Sequence, residues 1–146
     1  MRTLLAALAV CFLAAADNAS DAVKKELKQL EGEWSMVSGE RDGHSLPADF
    51  IKVFKRVCKD DETTVTVGDE IVLKAKFSID RTKKPKTIDY TVLEGPNQGK
   101  KQLGIYELDG DHLRFCTAPF KSDRPTSFTT HADNGWTRFS WKRVKK

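Results

Sequence analysis

The stretch GIYELDGDHLRFCTAPFKSDRPTSF, Gly104 to Phe128, decides the fold. Gln102 to Leu108 and His112 to Thr117 read as two short strands joined by Asp109-Gly110-Asp111. An Asp-Gly pair between alternating apolar residues is a tight hairpin signal, because it supplies the positive φ such turns need. A loop carrying Arg124-Pro125 follows, and then a third strand.

Working outward, the same period of two recurs. Ile71, Leu73, Ala75, Phe77 and Ile79 fall on one face, with Lys74, Lys76 and Ser78 on the other. That is a strand with one buried and one wet face. Gly68-Asp69 marks a hairpin turn from the β-branched run Thr63 to Val67. Ile88, Tyr90 and Val92 alternate with Thr87, Asp89 and Thr91. Glu33 to Gly39 forms a first strand, and Trp136 to Val144 a last one with Phe139 and Trp141 on one side. Phe50 to Cys58 is apolar on both faces and reads as a strand preceded by a short helical turn. Only Ser20 to Leu30 carries a helical stripe, through Val23, Leu27 and Leu30. A strand roughly every ten residues, with turn signals between, predicts an all-β antiparallel barrel. About eight strands and one short N-terminal helix account for the chain, and closure solves the problem of exposed strand edges.

Residues 1–16 read as a signal peptide: a basic Met1-Arg2, an apolar run to Leu13, then Ala14-Ala15-Ala16 before Asp17. The apolar run is short of the ~20 residues that span a bilayer, so no stable membrane insertion is expected. A lipoprotein reading through Cys11 conflicts with the bulky Val10 before it. The expected mature chain, residues 17–146, is a single domain, periplasmic or secreted. Loss of Arg2 takes its formal charge from +4 to +3. The clusters Lys83, Lys84, Lys86 and Lys142, Arg143, Lys145, Lys146 lack interleaved aromatics, so nucleic acid is not an expected partner. Cys58 and Cys116 are free to pair in an oxidising compartment, or to stand as two isolated half-buried thiols. No C-x-x-C occurs and His44, His112 and His131 are scattered, so no metal or other cofactor is expected.

The helix leading into Gly32-Glu33-Trp34 resembles the opening of lipocalin-type barrels, whose first strand carries Gly-x-Trp. There the tryptophan packs under the barrel, often against an arginine near the last strand, for which Arg138 and Arg143 are the candidates. A more specific resemblance lies in LEGEWSMVSGERDG, FSIDRTKKPKTIDY, GPNQGKKQLGIYELDGDHLRFC and RPTSF. Together these are similar to an uncharacterised lipocalin-like domain family of planctomycete bacteria, over Leu27 to Trp141. The resemblance implies a small exported bacterial barrel and assigns no activity, so it carries over no catalytic residues. The segment Phe50 to Asp61 departs from the pattern.

Two readings of the interior stand side by side. Phe77, Tyr90, Tyr106, Phe115 and Trp141 either line a ligand cavity or simply form the core. Gly32 and Trp34 read as structural, closing one end. Arg114 points out to water if Leu113 and Phe115 point in; the opposite register would bury a cation that demands an anionic partner. Arg124 in its loop either grips an anionic group or bonds nearby carbonyls. Asp109 and Asp111 read as turn residues, since a calcium loop would need a further acidic ligand. A Cys116–His131 pair could arise only by tertiary coincidence, and no nucleophile elbow or phosphate loop is present, so no enzyme is expected. The expected function is burial of a small, partly apolar ligand in the barrel. The alternative is a cell-envelope interaction module with a packed core and an exposed apolar patch around Phe120 and Pro125.

Overall fold

The computed structural model describes residues 20–145. The expected leader, Cys11 with it, lies outside the described residues. The chain starts with a helix over residues 20–30 (α1). It continues through β1 (Gly32–Arg41), β2 (His44–Ser45), a one-turn helix α2 (Ala48–Ile51), β3 (Phe54–Lys59), β4 (Glu62–Val67) and β5 (Glu70–Asp80). Then come β6 (Lys86–Val92), β7 (Lys101–Asp109), β8 (His112–Thr117) and β9 (Thr137–Arg143). From β3 onward every strand pairs antiparallel with the next. β1 pairs with both β3 and β9, from Trp34 opposite Arg143 to Arg41 opposite Thr137, and this closes an eight-stranded barrel. β2 is a spur on the end of β1. The all-β barrel with a short N-terminal helix is therefore the architecture of the chain.

Alternation sends one face of each strand inward. Trp34 and Met36, Phe77, Ile88 and Tyr90, Leu113 and Phe115, and Trp141 form one buried cluster. Two bulges break the alternation. Between Met36 and Ser38 the pairing with β9 shifts, and Val37 turns out to solvent. Between Val65 and Thr66 the pairing with β5 skips Val72. Ile71 is expected inside with Leu73 but is half exposed, because one extra residue flips every side chain beyond it. The strand expected after Arg124-Pro125 is not formed. Residues 118–136 instead cross the outside of the wall as an irregular strap, with Pro125 fully buried beneath it. The strap is tied down where Thr130 donates to Glu40, which also pairs with Arg138 at 2.9 Å.

One end of the barrel is sealed by α1. Leu30 is buried against the core and accepts a 2.9 Å hydrogen bond from Trp34 Nε1. Arg143 lies 4.3 Å over the Trp34 ring and donates to the carbonyls of Glu31 (2.7 Å) and Gln29 (2.6 Å). Gly32 has φ 122, and a Cβ there would stand 3.3 Å from Arg143 Nη1, so the close approach favours glycine. On the far side of the helix Glu26 is buried. It accepts from Tyr106 Oη and from Lys86 Nζ at 2.6 Å, with Arg81 at 3.6 Å. Burial alone would raise its carboxyl, but the hydrogen bonds from Lys86 and Tyr106 and the charges of Lys86 and Arg81 outweigh it and hold the group below its ordinary value.

A folded carboxyl held low contributes stability above its unfolded pKa, and the contribution is lost as pH falls through the folded value. Stability should therefore decline as pH drops below about 4.5, the ordinary value of the group. Glu26→Gln should cost about 1–3 kcal/mol at pH 7 by leaving its buried partners poorly matched. It should also flatten the acid limb, as read from urea unfolding at pH 7 and pH 3.

Candidate functional site

The unusual residue of the interior is Arg56. Along β3, Phe54, Arg56 and Cys58 turn inward while Lys55, Val57 and Lys59 turn out. Its place is pinned by Trp34 on one side and Val65 on the other, both inward-facing. Arg56 is only 4% exposed. Its guanidinium lies 4.5 Å from the Phe115 ring centre and 4.8 Å from that of Trp141. Nη1 donates to Thr63 Oγ1 at 3.0 Å. Nε makes no hydrogen bond, and the nearby buried Tyr90 hydroxyl, which lies against the Arg56 guanidinium, and Trp141 Nε1 have no acceptor. Burial pushes the Tyr90 hydroxyl up to about 12, although the charge of Arg56 works against the rise. Tyr90 is thus a neutral donor at any physiological pH.

The wall around this cluster is apolar. Phe77, Tyr90 and Phe115 contact in sequence with ring centres 6.2 Å apart, and Phe139 meets Trp141 at 6.4 Å. Edge and tilted contacts of this kind leave ring faces free for a cation. The other residues singled out from sequence divide by position. Phe77, Tyr90, Phe115 and Trp141 share the interior with Arg56. Tyr106 is also inside, but its hydroxyl is taken by Glu26; burial first, and then that carboxylate, raises its pKa. Gly32 and Trp34 belong to the sealed end.

Arg114 and Arg124 stand outside the wall, away from this cluster. Arg114 pairs with Glu107 at 2.9 Å and stacks on Phe128 at 3.9 Å. Arg124 pairs with Asp89 at 2.7 Å and donates to the carbonyls of Ile88 and Gly104. Cys58 and Cys116 are both free thiols. Cys58 faces inward with its sulfur 3.4 Å from Thr63 Oγ1, whereas Cys116 faces outward beneath the strap, on non-adjacent β8. A bond between them would have to pass through the wall, so the pairing considered from sequence does not form. Burial pushes the Cys116 thiol up to about 11, which keeps it protonated and unreactive at neutral pH. His131 is exposed in the strap, and no hydrogen bond joins it to Cys116. Among the described residues no group of three His, Cys, Asp or Glu could hold a metal ion, and no helix is long and apolar enough to cross a membrane.

Arg56 was hidden in the sequence by its neighbours. In KVFKRVCKD, Val53 and Val57 share one phase and Phe54, Arg56 and Cys58 the other. Choosing the valine phase as buried sends the arginine out. The structure takes the opposite phase and leaves Val57 47% exposed. The readable signal was the pair Phe54 and Cys58 in step with the arginine.

At the end opposite α1 lies α2, which has no fully buried residue, sets half-buried Ile51 against the core and has no side-chain cap at Pro47. Nearby, Ile71, Leu73, Val92, Pro96 and Phe120 line an open cleft of about 360 Å³ on the rim. Comparison of the chain with family models, with curated proteins and with solved structures returned no match.

Native protein at pH 7 should leave both cysteines unlabelled by a thiol reagent over minutes, with two thiols appearing on unfolding. An intact mass two hydrogens short of the reduced chain would contradict the separation of the two thiols across the wall.

Proposed function

We propose that this protein is an exported binding protein that holds a small, partly apolar ligand inside its barrel. On this reading it is kin to the lipocalin-like planctomycete domains it resembles. The observation that carries the proposal is the pair of unpartnered buried donors, Tyr90 Oη and Trp141 Nε1, set in an aromatic interior. Buried polar groups are nearly always hydrogen-bonded, and leaving one unpaired costs about 1–3 kcal/mol. A site that keeps two such donors is primed for an acceptor brought by a ligand. Aromatic walls supply the apolar contact and the two donors fix orientation.

Entry belongs at the α2 end. The α1 end is stapled by Trp34, Arg143 and Glu26. By contrast α2 has no fully buried residue and touches the core only through half-buried Ile51, so its displacement uncovers less core than loss of α1 would. The mechanism is reversible burial: α2 moves aside, the ligand displaces interior side chains or water, and the donors engage it.

A second reading, an envelope interaction module, draws on a different observation. Pro125 is buried, so the patch expected around Phe120 and Pro125 is not the relevant surface. Phe50, Val53, Ile71 and Val72 are instead exposed near the α2 end.

The test is extraction of protein purified from its native host, followed by mass spectrometry, together with titration of the neutral dye N-phenyl-1-naphthylamine. The expected results are a recurring small molecule and a dye signal that this molecule displaces. Tyr90→Phe or Trp141→Phe should weaken ligand binding roughly fivefold, the worth of one lost hydrogen bond. An empty extract and a dark dye would sink the interior reading and leave the module.

A further inference from the structure

The charge at the centre of the barrel says more about the ligand than the two neutral donors do. Guanidinium stays protonated in proteins, so Arg56 cannot shed its charge on burial as a lysine would. The groups against its guanidinium are all neutral: Thr63 Oγ1, the Tyr90 hydroxyl, the Phe115 ring and the Trp141 ring. Among the described residues no carboxylate lies within 4.0 Å of it. The contrast with the more exposed arginines is direct. Arg81 and Arg114 have Glu26 and Glu107, Arg124 has Asp89, Arg138 has Glu40 and Arg143 has Asp111. Exposed Arg41 also lacks an ion pair but stands in water; among the described residues Arg56 is the buried arginine without a counter-charge.

Aromatic faces soften the cost of a buried cation but do not neutralise it. Water could serve the donors as an acceptor, yet it brings no charge. An anionic group brings both charge and lone pairs. Arg56 Nε, Tyr90 Oη and Trp141 Nε1 are three buried donors without an acceptor, and they belong to one contacting cluster. We infer that the interior ligand carries a single anionic group, a carboxylate or its equivalent on a short apolar body, and that Arg56 is its counter-ion. This inference rests on the interior-binding reading and narrows it to one chemical class.

The test compares two probes with the same apolar body, hexanoate and hexan-1-ol, by calorimetric titration into the full-length mature protein. Wild type should bind hexanoate at least tenfold more tightly than hexan-1-ol. Arg56→Met should bring hexanoate down to the level of hexan-1-ol and leave the alcohol unchanged. The melting temperature of the unliganded Arg56→Met protein should equal or exceed that of wild type, because an uncompensated charge has been removed. Tyr90→Phe removes a hydroxyl only and should weaken hexanoate several-fold more than hexan-1-ol. It decides the matter if Arg56→Met does not fold. Equal binding of the two probes by wild type overturns the inference while leaving the interior reading intact. Binding of neither probe, with a dark dye and an empty extract, removes both. A large fall in melting temperature for Arg56→Met, with hexanoate preference retained in Tyr90→Phe, would make Arg56 a structural cation and overturn its role as counter-ion.

Discussion

Hydrogen bonding of β9 to β1 turns a meander of strands into a closed wall, and the rest of the molecule depends on that seal. Without it, β1 and β9 would be edges and the inward faces would meet water along an open seam. With it, each inward side chain must find its partners among the other inward side chains. The sealed end follows from the same pairing, since Trp34 and Arg143 are opposed residues of β1 and β9. Their stack carries α1 onto the barrel through the carbonyls of Gln29 and Glu31.

Closure also creates the tension at the centre. A lone arginine on an open sheet would reach solvent past its neighbours. On β3 of a closed barrel it is held between Phe115 and Trp141, with one hydroxyl and no carboxylate. Glu26 presents the opposite solution to the same problem. It too is buried, but Lys86 and Arg81 surround it and Tyr106 donates to it, so its charge is satisfied within the fold. One buried charge is matched within the fold; the other has no counter-charge there, and the proposed ligand would supply it. The matched charge belongs to the stapled end, and the proposed route to the unmatched one runs from the end where α2 has no fully buried residue.

Much of the wall was legible in the sequence because its period is unambiguous. β5 from Leu73 to Ile79 alternates without conflict, and the β7–β8 hairpin announces itself through Asp109-Gly110. α1 was legible from three apolar residues on one helical face. What was not legible depends on pairing rather than on local pattern. The bulge at Val72 flips Ile71, and no residue there signals it. The strap carries Pro125 and Phe128, whose apolar character suggests a strand but serves to cover the outer wall and to meet Arg114. On β3 both phases are partly apolar, and only the register with Trp34 and Val65 sets Arg56 inside. The site was therefore half legible: its aromatic wall came from alternation, whereas its charge came from a strand whose faces the sequence left balanced.

The most direct measurement is hydrogen exchange at the Arg56 Nε–H, followed by nitrogen-15 NMR on the full mature protein. A guanidinium sealed in the barrel, with no carboxylate beside it, should give a slowly exchanging, displaced signal that shifts again when hexanoate is added. An Arg56 signal that exchanges as fast as that of exposed Arg41 and ignores hexanoate would contradict the account.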